Sequence, residues 1–159
     1  MFHGESTHSM DKKGRVFLPK RFQEQLSRDK EDNLCGVLTF GFEGCLAVYS
    51  REGFEALAET QNTETFTTPE ARRAQRRFFK NTLAFTLDGS GRFVVPERFR
   101  QFAGLDAPCE VVMLGVSKRG ELWNVDRYAA IYGDDDDFDD LGQGFDPAPA
   151  GGGHDGGAA

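Results

Sequence analysis

Apolar residues along this chain fall in short runs separated by polar, glycine-containing stretches, a pattern typical of a mainly β protein. Two neighbouring runs, 34–40 (LCGVLTF) and 45–50 (CLAVYS), are joined by the turn-like GFEG, and a second pair, 109–115 (CEVVMLG) and 121–125 (ELWNV), is joined by SKRG. Each pair predicts two adjacent strands. Apolar and polar residues alternate only weakly within them, which indicates burial on both faces or a position inside a barrel.

The chain contains the same short sequence twice. Residues 11–22 read DKKGRVFLPKRF and residues 88–99 read DGSGRFVVPERF, and six of these twelve positions are identical. The offset is 77 residues, and after one residue is dropped an offset of 76 aligns 36–51 with 112–127. The repeat therefore covers a whole structural unit, so both copies should contain the same elements in the same order.

Each copy begins with an extended segment, 2–10 in the first and 79–87 in the second, in which the offset pairs Phe2 with Phe79. A glycine-containing turn, a short apolar strand, a short helix and two further strands follow in both copies. A unit of about fifty residues with four short strands is marginal as an isolated fold. We therefore expect the two copies to complete one another's sheet.

Several residues are suited to the ends of the short helices. Pro19 and Pro96 each open a helix, because proline supplies a suitable φ and lacks an N–H that would otherwise be unpaired there. Gly104 stands where the C-terminus of the second such helix is expected. Ser50 and Asp126 are each placed to cap the helical turn that follows the last strand of their copy.

The linker between the copies contains an arginine-rich segment that is not duplicated. Thr68, Pro69 and Glu70 provide a cap, a first-position proline and a first-turn acid, and they predict a helix from Pro69 to about Phe79. The helix carries four arginines in two i, i+4 pairs: Arg72 with Arg76, and Arg73 with Arg77. Such a helix can contact phosphates, pair with acids across a subunit boundary, or present a solvated face.

The net charge of −7 argues against a nucleic-acid partner, but the charge is unevenly placed. Residues 133–159 hold eight aspartates and no lysine or arginine, so the rest of the chain has 18 acids and 19 bases, a net charge of +1. A tail of Asp, Gly, Pro and Ala cannot bury enough apolar surface to fold, so we predict that it is disordered. It either shields basic surface or serves only solubility.

These signals divide the chain into four segments. They are a first repeat at 5–50, a helical linker at 51–78, a second repeat at 79–127 and the disordered acidic tail at 133–159.

Composition and motifs argue against several classes of protein. The three cysteines, Cys35, Cys45 and Cys109, have neither disulfide-framework nor zinc-site spacing, which favours a reducing cytosol. No apolar run approaches the ~20 residues needed to cross a bilayer. The histidines lie near the termini and no hydrolase, zinc-protease or nucleotide-binding motif is present. We therefore expect a soluble cytoplasmic protein that is not an enzyme and has no metal, cofactor, small-molecule substrate or membrane partner.

The repeated motif itself places an acid before a turn, a glycine in the turn and an arginine after it. In a hairpin, Asp11 and Arg15 can then come within reach of each other, as can Asp88 and Arg92. A carboxylate that holds an arginine fixes the direction of the guanidinium and leaves its other donors available for a phosphate or for a guanine edge. The alternative is a turn stabilised by a local ion pair, without further function.

Four stretches of the sequence are similar to those of a known family. They are MFHGESTHSMDKKGRVFLPKRF, PEARRAQRRFF, LDGSGRFVVPERFRQFAGL and ELWNVDRY, in this order within about residues 1–132. Together they resemble the MraZ family of bacterial transcriptional regulators, and the duplicated Asp-x-x-x-Arg motif is the most specific part. The resemblance implies an α+β, mainly β fold of two tandem SpoVT/AbrB-like swapped-hairpin units, which form one pseudo-twofold, β-barrel-like body with short helices.

The resemblance also implies a function. Members of this family bind double-stranded DNA at direct repeats upstream of their own gene, form ring-like homo-oligomers and repress the division and cell wall gene cluster. We therefore expect a nucleoid-associated repressor of its own operon. The alternative is a structural or protein-interaction module that oligomerises without specific DNA binding.

Carried over residue by residue, the resemblance assigns DNA contact to the duplicated motif: Asp11, Arg15, Asp88 and Arg92. Further phosphate contacts are predicted for four cations: Lys12, Lys13, Lys20 and Arg21. The linker arginines are predicted to lie at the oligomer interface: Arg72, Arg73, Arg76 and Arg77. Gly89 and Ser90 leave the second turn neutral where the first has two lysines, so the first copy should bind DNA more strongly.

Overall fold

The computed structural model describes residues 1–61 and 68–133, so the predicted disordered tail, apart from Gly133, and part of the linker lie outside the described residues. The strands are β1 (Glu5–Met10), β2 (Arg15–Phe17), β3 (Ser27–Arg28), β4 (Leu34–Phe40), β5 (Leu46–Tyr49), β6 (Thr82–Thr86), β7 (Arg92–Val94), β8 (Cys109–Val116) and β9 (Arg119–Asn124). The helices are α1 (Lys20–Gln23), α2 (Arg51–Gln61), α3 (Pro69–Lys80), α4 (Glu97–Ala103) and α5 (Val125–Tyr132).

The two copies exchange their first strands. Strand β1 of the first copy pairs antiparallel with β8 of the second over six residue pairs, and β6 of the second pairs with β4 of the first over five. Each copy thus supplies the strand that completes the hairpin of the other. This pairing confirms the swapped-hairpin arrangement and the expectation that neither copy closes its own sheet.

The copies also meet directly along two strand pairs. Val16 of β2 lies opposite Phe93 of β7, and Leu46 of β5 lies opposite Leu122 of β9. These are the same residues that the repeat aligns at offsets of 77 and 76, so each faces its own counterpart. A residue faces its counterpart only where a twofold axis passes between them. The predicted pseudo-twofold body is therefore confirmed, with the axis running through both strand pairs.

The sheet curls into a half barrel around a shared core. Its strand order is β3-β4-β5-β9-β8-β1-β2-β7, with β6 paired to β4 outside this path. All four residues of β5 are buried, as the weak alternation predicted. Equivalent residues of the two short helices, Phe22 of α1 and Phe99 of α4, both enter the core. The α+β, mainly β fold class is confirmed.

The helix ends follow the local sequence signals in most places. The Thr68 hydroxyl accepts a hydrogen bond from the Ala71 N–H at 3.2 Å, and α3 begins at Pro69 as predicted. Gly104 ends α4 with a φ of 67°, and the Ser50 hydroxyl caps α2 through the Gly53 N–H at 2.9 Å. Within residues 1–61 and 68–133, no helix has the length and apolar composition needed to cross a membrane.

Two expectations about equivalent positions were wrong. Asp126 does not cap α5, because β9 leads directly into the helix and the Asn124 side chain accepts the hydrogen bond from the Arg127 N–H at 2.8 Å. Phe2 is buried against Phe22, whereas Phe79 is 39% exposed at the end of α3. The structural repeat therefore begins at β1 and β6 and not at the two phenylalanines, because α3 continues up to the start of the second copy.

Candidate nucleic-acid interface

The first motif forms a tight turn between β1 and β2, and Asp11 organises it. One carboxylate oxygen of Asp11 accepts hydrogen bonds from the N–H groups of Lys13 and Arg15, both at 2.9 Å. The other oxygen accepts a bond from Nε of Arg15 at 2.6 Å. Gly14 has a φ of 78°, and a Cβ there would lie only 2.8 Å from the Val95 carbonyl oxygen, so the turn requires glycine.

The second motif repeats this geometry between β6 and β7. Asp88 accepts hydrogen bonds from the N–H groups of Ser90 and Arg92, both at 2.9 Å, and from Nε of Arg92 at 3.2 Å. Gly91 has a φ of 79°, nearly the value of Gly14. The predicted contact between Asp and Arg is therefore confirmed in both copies.

Hydrogen bonding lowers the pKa of both carboxyl groups. The largest cause of the lowered pKa of Asp11 is the hydrogen bond from the Arg15 backbone N–H. For the lowered pKa of Asp88 it is the hydrogen bond from the Arg92 backbone N–H. Each carboxylate therefore stays ionised near neutral pH and continues to hold its arginine. An acid kept in this state is suited to positioning a guanidinium, and unsuited to donating a proton.

Each arginine uses only its Nε within the turn. Across the described part of the chain, neither terminal nitrogen of Arg15 or Arg92 makes a hydrogen bond, and the two side chains are 35% and 39% exposed. The carboxylate thus fixes one edge of the guanidinium and leaves the outer edge available. Two parallel N–H donors are the group that binds a phosphate or the guanine O6/N7 edge in a bidentate manner.

The strand pair β2–β7 brings both arginines onto one face. Arg15 lies opposite Val94, and Phe17 lies opposite Arg92, while the buried pair between them points into the core. Opposite residues of antiparallel strands share a face, and diagonal neighbours lie about 7–8 Å apart. Arg15 and Arg92 are such a diagonal pair, with the half-exposed Val94 beside them. The two motifs therefore form one composite surface.

The structure adds a cation that the sequence reasoning missed. Arg100 of α4 lies against the first turn, and its Nε donates to the Val95 carbonyl at 3.0 Å. It is so close to Gly14 that a Cβ on this residue would lie 2.9 Å from the Arg100 Nε. In the second turn the equivalent residue is Gln23, which donates to the Leu18 carbonyl at 2.7 Å. The repeat offset of 77 aligns Gln23 with Arg100, so the sequence already showed that a cation replaces a neutral residue at this position. The first turn therefore exceeds the second by three cations: its two lysines and Arg100.

Lys20 and Arg21 have different surroundings. Lys20 is exposed and lines a surface cavity of about 400 Å³ with Asp88 and Gly89, so a first-copy lysine lies beside the second-copy turn. Arg21 instead donates from Nε to the His3 carbonyl at 2.7 Å and from Nη2 to the Ser6 hydroxyl at 2.8 Å. Its role in phosphate contact stays a prediction, and these contacts favour a structural role in holding β1.

The linker arginines lie away from the turns, on α3. Arg73, Arg76 and Arg77 line an open cleft between α3 and α4, of about 620 Å³, which we call the cationic cleft. Its full lining is Phe40, Arg73, Arg76, Arg77, Lys80, Asn81, Arg98, Gln101 and Phe102. The assignment of Arg72, Arg73, Arg76 and Arg77 to an oligomer interface stays a prediction.

Comparison with known proteins places the chain in a family. A family model described as "MraZ protein, putative antitoxin-like" matches it twice, over residues 1–77 and 78–140. The chain belongs to the MraZ family. This placement confirms the resemblance noted in the sequence, and the double match agrees with the two copies seen in the fold.

Curated members of the MraZ family are similar over most of the chain. Transcriptional regulator MraZ of Acetivibrio thermocellus is 35% identical over 135 residues, which cover 85% of this chain and 89% of the relative. Transcriptional regulator MraZ of Pelotomaculum thermopropionicum is 39% identical over 128 residues, covering 80% and 83%. That of Moorella thermoacetica is 38% identical, covering 80% and 84%. Because these relatives are regulators by name, membership confirms that the chain is not an enzyme.

Proposed function

We propose that this protein is a sequence-specific, DNA-binding transcriptional regulator that represses its own operon in the division and cell wall gene cluster. The observation that carries the proposal is the composite surface of β2 and β7, where two carboxylate-held arginines share one face. A two-stranded antiparallel ribbon fits the major groove of B-DNA. Arg15 and Arg92 contact base edges or phosphates there, and Asp11 and Asp88 position them.

The surrounding cations add contacts to the phosphate backbone. Lys12, Lys13 and Arg100 surround the first turn, and Lys20 lies beside the second. Phosphate contacts supply affinity and orientation, while base contacts supply sequence preference. The first turn is therefore the stronger DNA contact in this proposal.

The proposed regulator acts as a ring-like homo-oligomer on direct repeats upstream of its own gene. The net charge of the chain without its tail is only +1, which makes a single copy a weak ligand for DNA. Repeated turns in a ring that face repeated DNA sites raise the effective concentration of every contact after the first. Multivalency thus offsets the low charge. Association with the nucleoid in the cytoplasm follows from this activity.

An electrophoretic mobility shift on the DNA upstream of the gene tests the proposal, with wild type and Arg15→Ala compared at one salt concentration. We expect Arg15→Ala to weaken specific binding about fivefold or more, because a good bidentate contact contributes about 1–3 kcal/mol of discrimination. Lys118→Ala is the matched control, because Lys118 is exposed and lies far from the first turn. It follows β8, and its neighbour Ser117 pairs with Phe2, which precedes β1, whereas the first turn follows the other end of β1. Equal affinity of Arg15→Ala and wild type would refute the assigned role of Arg15.

The second candidate function is a protein-interaction module that oligomerises without specific DNA binding. The cationic cleft favours it, because a row of exposed arginines outside the duplicated turns is suited to acidic protein partners. The same mobility shift distinguishes the two functions. A module of the second kind binds upstream and unrelated DNA equally at physiological salt.

A further inference from the structure

The cationic cleft has an unusual charge balance. Five of its lining residues are cations (Arg73, Arg76, Arg77, Lys80 and Arg98), and none is an acid. Arg73 and Arg77, and likewise Arg76 and Lys80, are like charges at i, i+4 on α3, a spacing that brings them close and is unfavourable. A cleft of this kind is stabilised by an anion between its walls.

These arginines have no acidic partner within the described residues. The ion pairs found there involve Arg15, Arg28, Arg92 and Arg119, all outside the cleft. By contrast, Arg15 and Arg92 in the DNA-facing turns each hold an aspartate. An acidic ligand therefore gains more in the cleft than at the turns, because no acid among residues 1–61 and 68–133 forms an ion pair with the cleft cations.

The cleft also has an aromatic floor. Phe40 and Phe102 stack with ring centroids 3.9 Å apart and an interplanar angle of 9°. The guanidinium of Arg98 lies 5.4 Å from the Phe40 ring centre and donates to the Asn81 side chain at 2.5 Å. A ligand matched to this cleft carries several negative charges and one apolar group.

The chain has a segment with this chemistry, Asp134–Asp140, which reads DDDDFDD and places Phe138 among six aspartates. Helix α5, which leads into this segment, contacts one residue of the cleft. In the first turn of α5, Nη1 of Arg127 donates to the carbonyl of Phe102, a cleft residue, at 3.3 Å. Gly133, six residues later, is about 9 Å further along the helix. Because the segment follows Gly133 directly, Phe138 can lie up to about 17 Å and Asp140 up to about 24 Å from Gly133 when the chain is extended.

We propose that the cationic cleft binds the Asp134–Asp140 segment of its own chain. The aspartates pair with the cations of α3, and Phe138 packs on the aromatic floor. Covalent attachment to α5 keeps the segment at a high effective concentration, so an external acidic ligand must displace it. The cleft is thus an acidic-peptide site with a built-in competitor, and this property does not depend on the proposed DNA binding.

Fluorescence anisotropy with a labelled peptide of sequence GDDDDFDDLG tests the proposal at low ionic strength. The receptor is the full chain with Asp134, Asp135, Asp136, Asp137, Asp139 and Asp140 changed to Asn, which removes the competitor. We expect this receptor to bind the peptide at least about tenfold more tightly than wild type does, because tethering can change apparent affinity by two orders of magnitude or more. A peptide with Ala at the position of Phe138 should bind more weakly.

Two double variants in the six-Asn receptor locate the site. Arg76→Gln with Arg77→Gln should reduce peptide binding at least about tenfold, because it removes two cleft charges that are weakly screened at low salt. Lys12→Gln with Lys13→Gln removes the same charge from the first turn, outside the cleft, and should reduce peptide binding much less, because charge–charge attraction falls with distance. Far-UV circular dichroism checks that α3 remains folded, as expected from the similar helix propensities of Gln and Arg.

Four outcomes would overturn the proposal. Equal peptide binding by wild type and the six-Asn receptor means that the segment does not occupy the cleft. Equal losses of peptide affinity in both double variants mean that binding depends only on the overall charge of the receptor. A loss confined to the lysine variant places the segment on the DNA-facing turn. A change in oligomeric state caused by Arg76→Gln with Arg77→Gln makes the cleft a contact between copies.

Discussion

At the scale of single residues, the aspartate of each turn determines what its arginine can do. Asp11 takes Nε of Arg15 and two backbone N–H groups, and it leaves the outer edge of the guanidinium available. The same hydrogen bonds lower the pKa of Asp11. A carboxyl group whose pKa is lowered by folding stabilises the fold at pH values above its unfolded-state pKa. This stabilisation is lost only as the pH falls through the folded-state pKa, so the contact persists at neutral pH.

Asp11→Asn should therefore reduce sequence preference without reducing general attraction to DNA. The amide no longer holds the guanidinium by a charge-assisted bond, so Arg15 loses its fixed direction, while removal of a negative charge favours phosphate binding. We expect the ratio of specific to non-specific affinity to fall about fivefold or more, from the 1–3 kcal/mol range of a bidentate base contact. Competition binding with operator and unrelated DNA measures this ratio, and an unchanged ratio would show that Asp11 has no positioning role.

At the scale of elements, helix ends depend on where the preceding strand stops. Strand β9 ends at Asn124 and α5 begins at the next residue, so the capping position falls on Asn124 and not on Asp126. Asn124 also donates from Nδ2 to the carbonyl of Gly104 at 2.7 Å. One side chain thus joins the start of α5 to the end of α4.

Asn124→Ala should destabilise the protein by about 0.5–2 kcal/mol, the usual effect of removing an N-cap side chain. Asp126→Ala is the matched control in the same helical turn, and its loss should be smaller, about 0.3–1 kcal/mol, because it removes only a favourable charge at the helix N-terminus. Urea denaturation monitored by circular dichroism measures both free energies of unfolding. If Asp126→Ala costs more than Asn124→Ala, the capping assignment is wrong.

At the scale of the whole molecule, strand exchange makes the two copies interdependent. Strand β1 has its long pairing with β8, and β4 has its long pairing with β6, so each copy lacks a strand without the other. The same exchange sets β2 beside β7 and thereby creates the face that carries both arginines. Folding and the candidate site therefore depend on the same long-range contacts.

A fragment containing only residues 1–78 should not fold as a monomer. It lacks β8, the partner of β1, and β6, the partner of β4, and its remaining strands cannot close a core of the required size. Any folded form should be a homodimer in which a second fragment supplies the missing strands, so structure should depend on concentration. Circular dichroism across a dilution series, with analytical ultracentrifugation, tests this expectation, and a folded monomeric fragment would contradict it.

Much of the local structure could be predicted from the sequence. The repeat, the two glycine turns, the cap of α3 at Thr68 and the contact between Asp11 and Arg15 all depend on residues within a few positions of one another. Their geometry is set by local sterics and local hydrogen bonds. The prediction that Asp126 caps α5 was wrong because the exact end of β9 is decided by its pairing with β8 and β5, and this pairing is not local.

The sequence by itself determined that this chain has two copies of one unit, each with a carboxylate and an arginine across a turn. Only the tertiary structure decided that the two arginines share a face, that Arg100 lies against Gly14, and that Lys20 lies beside the turn of the other copy. The physical reason is that apolar patterning specifies that a strand forms and which side is buried. Its partner strand is selected by packing of the whole core, between residues far apart in the chain.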